Sequence, residues 1–330
     1  MIRTRGLISM LRFIRLEQAL PAVSNSWLMV FLAFNLETAS HRNESLSVYG
    51  VWLSLLLAAM VSMGMSVYAL GLNDILDMRH DRAFQPQRPL ASGSVNPQSA
   101  LSLALVSLAV AMIAAVLLGK VSALLAVTAA MGLLFYNTMG KFLPAVGIVA
   151  LGLIWALNMF IVNPRAGFIW PVWLTMSHVM IAATLVYHLE EKRPRLRMLD
   201  FAGILAGWLF WTLALFSYMQ LQGVTNSYQT PWVWVGPGVA VAIYLALAFL
   251  SLKPMMNKPD LRAKTTRNYA AVALIALILF DAGWLAALGH WGHASLLGSL
   301  LILATGSHRI LHFLEQLAVP EPTYHVNSDA

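Results

Sequence analysis

The sequence predicts an all-α integral membrane protein: a bundle of nine transmembrane helices, or ten with a last candidate span, around a central cavity that opens to the cytoplasmic side. Composition is the first reason, since 59% of the 330 residues are hydrophobic, 11% are charged and the mean hydropathy is +0.71. The second is a series of apolar runs of about twenty residues, each long enough to cross a bilayer core of ~30 Å. The third is the placement of basic residues in every second loop between those runs, which puts nearly all of them on one side of the membrane.

The apolar runs divide the chain into one membrane domain and two short terminal segments. We interpret residues 20–317 as the membrane domain, residues 1–19 as a cytoplasmic segment that forms an interfacial helix, and residues 318–330 as a disordered tail. The last run contains polar residues from Gly306 to Arg309, so it either spans the bilayer or lies partly in the interface. The predicted spans are residues 20–36, 50–72, 98–118, 121–139, 144–162, 170–189, 200–221, 232–252, 268–289 and 294–314.

The positive charges orient these spans. With the N-terminus inside, all of the 21 Lys and Arg residues except Arg42, Lys120 and Arg165 fall on the cytoplasmic side. This topology accounts for the net charge of +7 without a nucleic-acid partner, and it predicts a multi-pass protein of the cell membrane, in contact with membrane lipid. The absence of cysteine excludes disulfides, thiolate metal sites and a cysteine nucleophile.

An acidic cluster follows the second apolar run. If the helix continues past the run, Asn73, Asp74, Asp77 and Asp81 lie on one helix face. Like charges at such spacing repel by roughly 0.2–0.5 kcal/mol per pair, and a hard cation is the simplest reason to collect them. Carboxylate and carboxamide oxygens suit Mg²⁺, which usually combines one or two carboxylates with substrate phosphates.

Basic residues flank this acidic cluster. Arg79, Arg82 and Arg88 suit phosphate by charge and by the fork geometry of the guanidinium group. Together with the carboxylates they describe a metal-bridged diphosphate at the membrane edge, whose apolar tail would lie in the helix bundle. The alternative is a solvated acidic loop that balances its own arginines.

Two stretches resemble a known family. NDILDMRHD at residues 73–81, followed by RPLASG at residues 88–93, resembles the first Asp-rich motif of the UbiA superfamily of intramembrane prenyltransferases. YNTMGK at residues 136–141, with Pro144 and Gly147 after it, is similar to the tyrosine–lysine segment of that family.

The resemblance implies Mg²⁺-dependent transfer of a prenyl group from a prenyl diphosphate to a lipophilic, often aromatic, acceptor within the membrane. It implies roles for residues at one cytoplasmic mouth. The implied catalytic residues are Asp74, Asp77, Tyr136 and Lys141; the implied metal ligands are Asn73, Asp74, Asp77, Asp81, Glu190 and Glu191; and the implied diphosphate contacts are Asn73, Arg79, Arg88, Lys141, Lys192 and Arg193.

The second motif departs from the family pattern. That pattern has an Asp-x-x-x-Asp run after the sixth helix, where this chain has His188 and Lys192, with Glu190 and Glu191 between them. A lysine in place of a metal ligand weakens a second Mg²⁺ unless it contacts the phosphate itself. Two alternatives therefore stay open: a UbiA-type intramembrane terpene cyclase, and a non-catalytic or transport protein on the same scaffold.

Polar residues inside the spans need a separate explanation. Asp281 lies well inside the ninth span, which indicates either a function or a buried carboxyl bonded to a neighbouring hydroxyl or His. For Asn25 and Asn158, interhelical hydrogen bonds are favoured over cavity lining. For His178, a position in the core with a hydrogen-bonded imidazole is favoured over a position in the cavity wall.

Overall fold

The computed structural model describes residues 14–36, 42–86, 88–190, 194–222, 231–258 and 261–318. Within these ranges the chain is helical, which confirms the predicted fold class. Two short 3₁₀ turns, Gly140–Phe142 and Pro231–Trp234, connect longer helices. The helices are α1 Leu16–Asn35, α2 Glu44–Leu76, α3 Met78–Phe84, α4 Pro97–Leu118, α5 Lys120–Thr138, α6 Pro144–Val162, α7 Trp170–Leu189, α8 Met198–Leu221, α9 Val235–Asn257, α10 Arg262–Ala287 and α11 Trp291–Ala318.

Helix boundaries follow local signals. The Asn96 side chain accepts a hydrogen bond from the backbone N–H of Gln98 at 2.9 Å, and Pro97 occupies the first helical position of α4. Helix α10 begins six residues before its predicted span, because an apolar run does not include the polar first turns of a helix. In α2 a kink at Gly50, with φ 70° and ψ 177°, separates the residues from Glu44 onwards from the spanning part, which begins where the sequence predicts it.

Eight of the described helices are long and apolar enough to cross a bilayer, namely α2 and α4 to α10. Helices α1 and α11 are not among them, so the predicted count of nine or ten spans is not confirmed. The sequence of α1 contains polar residues in its middle, including Ser24, Asn25 and Ser26, which lower its hydropathy. These three side chains are buried inside the protein and do not face lipid. The predicted interfacial helix falls mostly on residues 1–13, and the predicted tail on residues 319–330, outside the described residues.

Helix α1 lies at the centre of the bundle, where it packs against α2, α6, α10 and α11. Helices α2, α4, α5 and α6 form one packed group, and α10 packs against α7 and α9 on the other side. The Asn158 amide on α6 donates to the carbonyl oxygen of Ala22 at 3.0 Å and accepts from the Ser62 hydroxyl at 2.9 Å. Asn158 therefore makes the expected interhelical hydrogen bonds, and it holds α1 and α2 against α6.

Helices α2 and α4 approach each other closely at Gly64. A Cβ atom at Gly64 would press against the carbonyl oxygen of Ser107 and lie 2.9 Å from the Cβ of Ala111. We expect Gly64→Ala to lower the free energy of unfolding by about 1–3 kcal/mol through overpacking.

Gly298 in α11 provides the matched control, since nothing lies within 4 Å of a Cβ built there. Gly298→Ala should be neutral or stabilising by up to about 1 kcal/mol, because alanine favours helix over glycine. Thermal unfolding of both variants in the same detergent measures the difference. Equal melting temperatures for the two variants would contradict the packing argument.

Candidate active site

The acidic cluster lies where α2 gives way to α3, at the end of the bundle called here the motif end. Helix α2 stops at Leu76, and Asp77 has φ −89° and ψ 2° before α3 begins at Met78. The helical hydrogen bonds nevertheless continue across this break, from Asp77 N–H to the Asn73 carbonyl at 2.9 Å and from Asp81 N–H to the Asp77 carbonyl at 2.8 Å. The segment thus remains close to helical, as its spacing required.

Asp74 is the most deeply buried carboxylate of the cluster, with 1% of the residue exposed. The Nη2 atom of Arg15 donates to both of its oxygens at 2.7 Å. The Nη1 atom of Arg88 lies 3.6 Å from Oδ1 of the same carboxylate. Two guanidinium groups therefore balance a charge that the surrounding protein shields from water.

Asp81 is 3% exposed and shares Arg88 with Asp74. The Nη1 atom of Arg88 donates to Oδ2 of Asp81 at 2.7 Å. The loop after α3 places this arginine: Val95 N–H bonds the Pro89 carbonyl at 3.0 Å and Leu90 is buried. The loop turns at Gly93, whose φ of +77° favours glycine.

Asp77 points to a different cation from the other two carboxylates. The Nζ atom of Lys141 lies 2.5 Å from its Oδ1. Lys141 belongs to the 3₁₀ turn between α5 and α6, and that turn packs so closely on α6 that a Cβ at Gly147 would meet the carbonyl oxygen of Gly140. The Asn137 amide, which donates to the Ala69 carbonyl at 3.2 Å, holds α5 against α2. The predicted tyrosine–lysine segment thus meets the acidic cluster.

A cavity of about 230 Å³ opens beside the cluster and runs into the bundle. Asn73 and Tyr136 line it in the last turns of α2 and α5, and Gln18 lines it in the first turn of α1. Its deeper wall is mostly apolar and reaches Ile161 on α6. Asn158 also lines it, in addition to its interhelical hydrogen bonds. The arrangement is a charged mouth over an apolar interior.

The contacts described above do not include the remaining predicted site residues. Arg79 is exposed on α3, and Glu190 is exposed at the end of α7. The His188 side chain lines a second, largely apolar cavity of about 840 Å³ between α7, α8, α9 and α10. Glu191, Lys192 and Arg193 lie outside the described residues.

Arg15 is the site residue that sequence reasoning missed. It was interpreted only as one of the basic residues that keep the N-terminus inside, yet it contacts Asp74 across 59 positions of sequence. The position of Arg15, just before the first span and at the predicted mouth, could have indicated a role in the site. Nothing in the spacing identified Asp74 as its partner.

The donor set fits Mg²⁺ when phosphate completes it. The carboxylates of Asp74 and Asp81 both approach the Nη1 atom of Arg88, at 3.6 and 2.7 Å. In the part of the chain that the structure describes, no three His, Cys, Asp or Glu side chains are grouped closely enough to hold an ion by themselves. That is the chemistry of a Mg²⁺ site in which one or two carboxylates share the ion with substrate phosphates.

Most of the chain matches a known protein family. Residues 28–264 fit the model of the UbiA prenyltransferase family. The chain belongs to the UbiA prenyltransferase family. This confirms the resemblance indicated by NDILDMRHD and RPLASG, both of which lie within the matched residues.

Solved structures share the UbiA-type arrangement of helices. Digeranylgeranylglyceryl phosphate synthase in membranes aligns with a TM-score of 0.56 and 17% identity, covering 85% of this chain and 99% of its own. The apo structure of a UbiA homolog from Aeropyrum pernix K1 aligns with a TM-score of 0.51 and 17% identity, covering 83% and 98%. A comparison with curated proteins found no match. At these identities, the likeness establishes the fold alone.

Proposed function

We propose that this chain transfers a prenyl group from a prenyl diphosphate, with Mg²⁺, to a lipophilic acceptor of the aromatic class within the membrane. The observation on which the proposal depends is the charged mouth: Asp74, Asp77 and Asp81 pair with cationic side chains, next to a largely apolar cavity that Asn73 of the same motif lines. Family membership supports prenyl transfer as the chemistry of such a mouth.

The charges at the mouth support diphosphate binding together with a metal. Three carboxylates face the three cations Arg15, Arg88 and Lys141, so the cluster is balanced without a ligand. A diphosphate adds negative charge, and a divalent cation that it brings restores the balance. We assign Asn73, Asp74, Asp77 and Asp81 to the metal side. Arg88 and Lys141 have the charge and the position to hold the diphosphate, with the exposed Arg79 near them.

The rest of the site supports ionisation of the allylic C–O bond. Bound Mg²⁺ supplies Lewis-acid stabilisation of the leaving diphosphate. Arg88 and Lys141 hold cationic charge where the leaving group becomes more negative. Tyr136 lines the cavity where the allylic carbon would lie, and the apolar wall excludes water, which would otherwise capture the cation. The acceptor then forms the new C–C or C–O bond and loses a proton. In this proposal the loop after α7 supplies Glu190 and Glu191 as metal ligands and Lys192 and Arg193 as diphosphate contacts.

A direct assay tests the proposed transfer. The purified full-length protein is incubated with Mg²⁺, labelled prenyl diphosphates of increasing chain length and a panel of lipophilic acceptors, while diphosphate release and prenylated product are measured. We expect release that EDTA abolishes and that Mg²⁺ restores, with label in the acceptor. Release with a hydrocarbon or alcohol product and no acceptor would instead identify a terpene cyclase. No release with any substrate pair would contradict the proposal.

We also propose that the motif end faces the cytoplasm, as the distribution of basic residues indicates. Because the chain has no cysteine, each single substitution introduces the only thiol. Gln98 is exposed at the motif end, and Lys120 is exposed at the opposite end, after α4. An impermeant maleimide should label Lys120→Cys in intact cells and Gln98→Cys only after lysis. The reverse pattern would place the site on the outer face.

A further inference from the structure

The Arg15–Asp74 pair occupies the carboxylate that the proposed function assigns to the metal. One guanidinium nitrogen contacts both carboxylate oxygens, and the carboxylate is almost fully enclosed. A divalent ion bound to either oxygen would lie next to that guanidinium. Two cations at such a distance repel each other, since the buried surroundings screen them little.

The backbone of Arg15 is itself unusual. It has φ 48° and ψ 57°, and it is the one non-glycine residue with positive φ among those described. The left-handed conformation is less favourable for an arginine than the right-handed one, so an interaction elsewhere must hold it. The side chain of Arg15 is held by its ion pair with Asp74, while its carbonyl oxygen accepts a hydrogen bond from the Gln18 N–H at 2.8 Å. Release of Asp74 would therefore let the start of α1 relax, which makes the pair separable without disrupting the helix.

We propose that Arg15 is a displaceable placeholder for the metal, so that Arg15 and the divalent cation compete for Asp74. The inference rests on the proposed function, which makes Asp74 a metal ligand. In the metal-free protein Arg15 balances Asp74. A metal that arrives alone must displace a cation and leave it without a partner. A metal that arrives with diphosphate offers the released guanidinium a phosphate group to contact.

The competition couples the two ligands. Because metal alone binds against the Arg15–Asp74 pair, its affinity in the wild type should be low and should rise when diphosphate is present. Removal of the guanidinium removes the competitor, so the metal should then bind well by itself. A purely structural role for Arg15 predicts the opposite sign, since loss of a structural contact loosens the site and weakens metal binding.

The test uses Mn²⁺ as the probe for the metal and inorganic diphosphate as the probe for the second ligand. Binding of Mn²⁺ to the full-length protein is measured by electron paramagnetic resonance, with and without diphosphate. We expect Arg15→Gln to bind Mn²⁺ alone at least about tenfold more tightly than the wild type, because the competing charged hydrogen bonds are gone. The gain in Mn²⁺ affinity on adding diphosphate should shrink accordingly.

Two further variants make the result specific. Arg15→Lys keeps the charge without the fork of nitrogens, so its Mn²⁺ affinity should lie between those of the wild type and Arg15→Gln. If Arg15→Gln does not fold, the Mn²⁺ affinity of Arg15→Lys provides the test. Arg267→Gln removes an exposed arginine from the first turns of α10 at the same end of the bundle, and its Mn²⁺ affinity should match that of the wild type.

Melting temperatures provide a readout that does not depend on activity. A ligand that binds only the folded protein raises its melting temperature by mass action, so Mn²⁺ should stabilise Arg15→Gln more than the wild type. Equal or weaker Mn²⁺ binding by both Arg15 variants would overturn the competition while leaving the proposed function intact. No Mn²⁺ binding by the wild type, even with diphosphate, would remove the proposed function and this inference with it.

Discussion

Asp74→Asn is expected to reduce the rate of Mg²⁺-dependent diphosphate release by about a hundredfold to a thousandfold. This is the range seen when a preorganised electrostatic contact to a transition state is removed. The substitution keeps the shape of the side chain and removes its charge. Asp74 is the carboxylate that both Arg15 and Arg88 approach, so its neutralisation also removes the counter-charge of Arg15, while Arg88 keeps Asp81. Steady-state release of labelled diphosphate measures the effect.

Asp200→Asn is the matched control for Asp74→Asn. Asp200 lies in the first turn of α8 at the motif end, where its carboxylate accepts a hydrogen bond from the Arg197 backbone N–H at 2.8 Å. Asparagine can accept the same bond, so this variant should retain wild-type release. Melting temperatures separate loss of chemistry from loss of folding. Wild-type release by a folded Asp74→Asn protein would exclude Asp74 from the mechanism.

The first motif was predictable because its residues are close in sequence and share one nearly continuous helical segment. The spacing of Asp74 and Asp81 predicted that they lie on one side, and both approach Arg88, which the sequence assigns to the diphosphate and not to these carboxylates. Contacts between distant helices were not predictable in the same way. Neither the Arg15–Asp74 ion pair nor the Lys141–Asp77 ion pair follows from the spacing of residues in the sequence, because both depend on how α1 and α5 pack against α2.

Membrane spans were predictable from hydropathy wherever a helix faces lipid. Helix α1 is the exception: the sequence predicts a span at residues 20–36, but the polar residues that α1 buries against other helices lower its hydropathy, and it is not among the eight candidate spans. The same burial decides for Asn25, whose amide donates to Asp281 at 3.0 Å. His178 combines both alternatives, because its Nε2 lies 2.8 Å from the Ala273 carbonyl oxygen and the residue also lines the cavity between α7 and α8. The sequence could identify these groups as needing partners, but only the packing of helices selects which partner each one takes.

The second motif shows a different limit. His188 marks the place where the family pattern has its first aspartate, and its side chain lines the cavity between α7 and α8. The sequence shows that His188 replaces the first aspartate of the family pattern. It does not show which cavity His188 lines. Cavities form between helices that do not pack closely, and α8 has no buried residue along its length.

Asp281 carries the second large expected effect, on stability. It is 1% exposed and accepts a hydrogen bond from the Ser24 hydroxyl at 2.6 Å, while the Asn25 amide contacts its two oxygens at 3.0 and 3.2 Å. The same amide lies 3.3 Å from the Thr175 hydroxyl on α7. One carboxyl group thus connects α1 to α10 beside α7, which is the buried-partner interpretation raised by the sequence.

We expect Asp281→Leu to lower the free energy of unfolding by about 3–5 kcal/mol, since it leaves buried polar groups of α1 without a partner. Asp281→Asn keeps an acceptor of the same shape, so its loss should stay near about 1 kcal/mol. Unfolding of the two variants in one detergent, followed by circular dichroism, gives the comparison. If Asp281 instead served the reaction as an acid or base, Asp281→Asn would fold normally and lose activity. The hydrogen bonds to Ser24 and Asn25 favour the structural role, because both donors come from the central helix that every group of helices packs around.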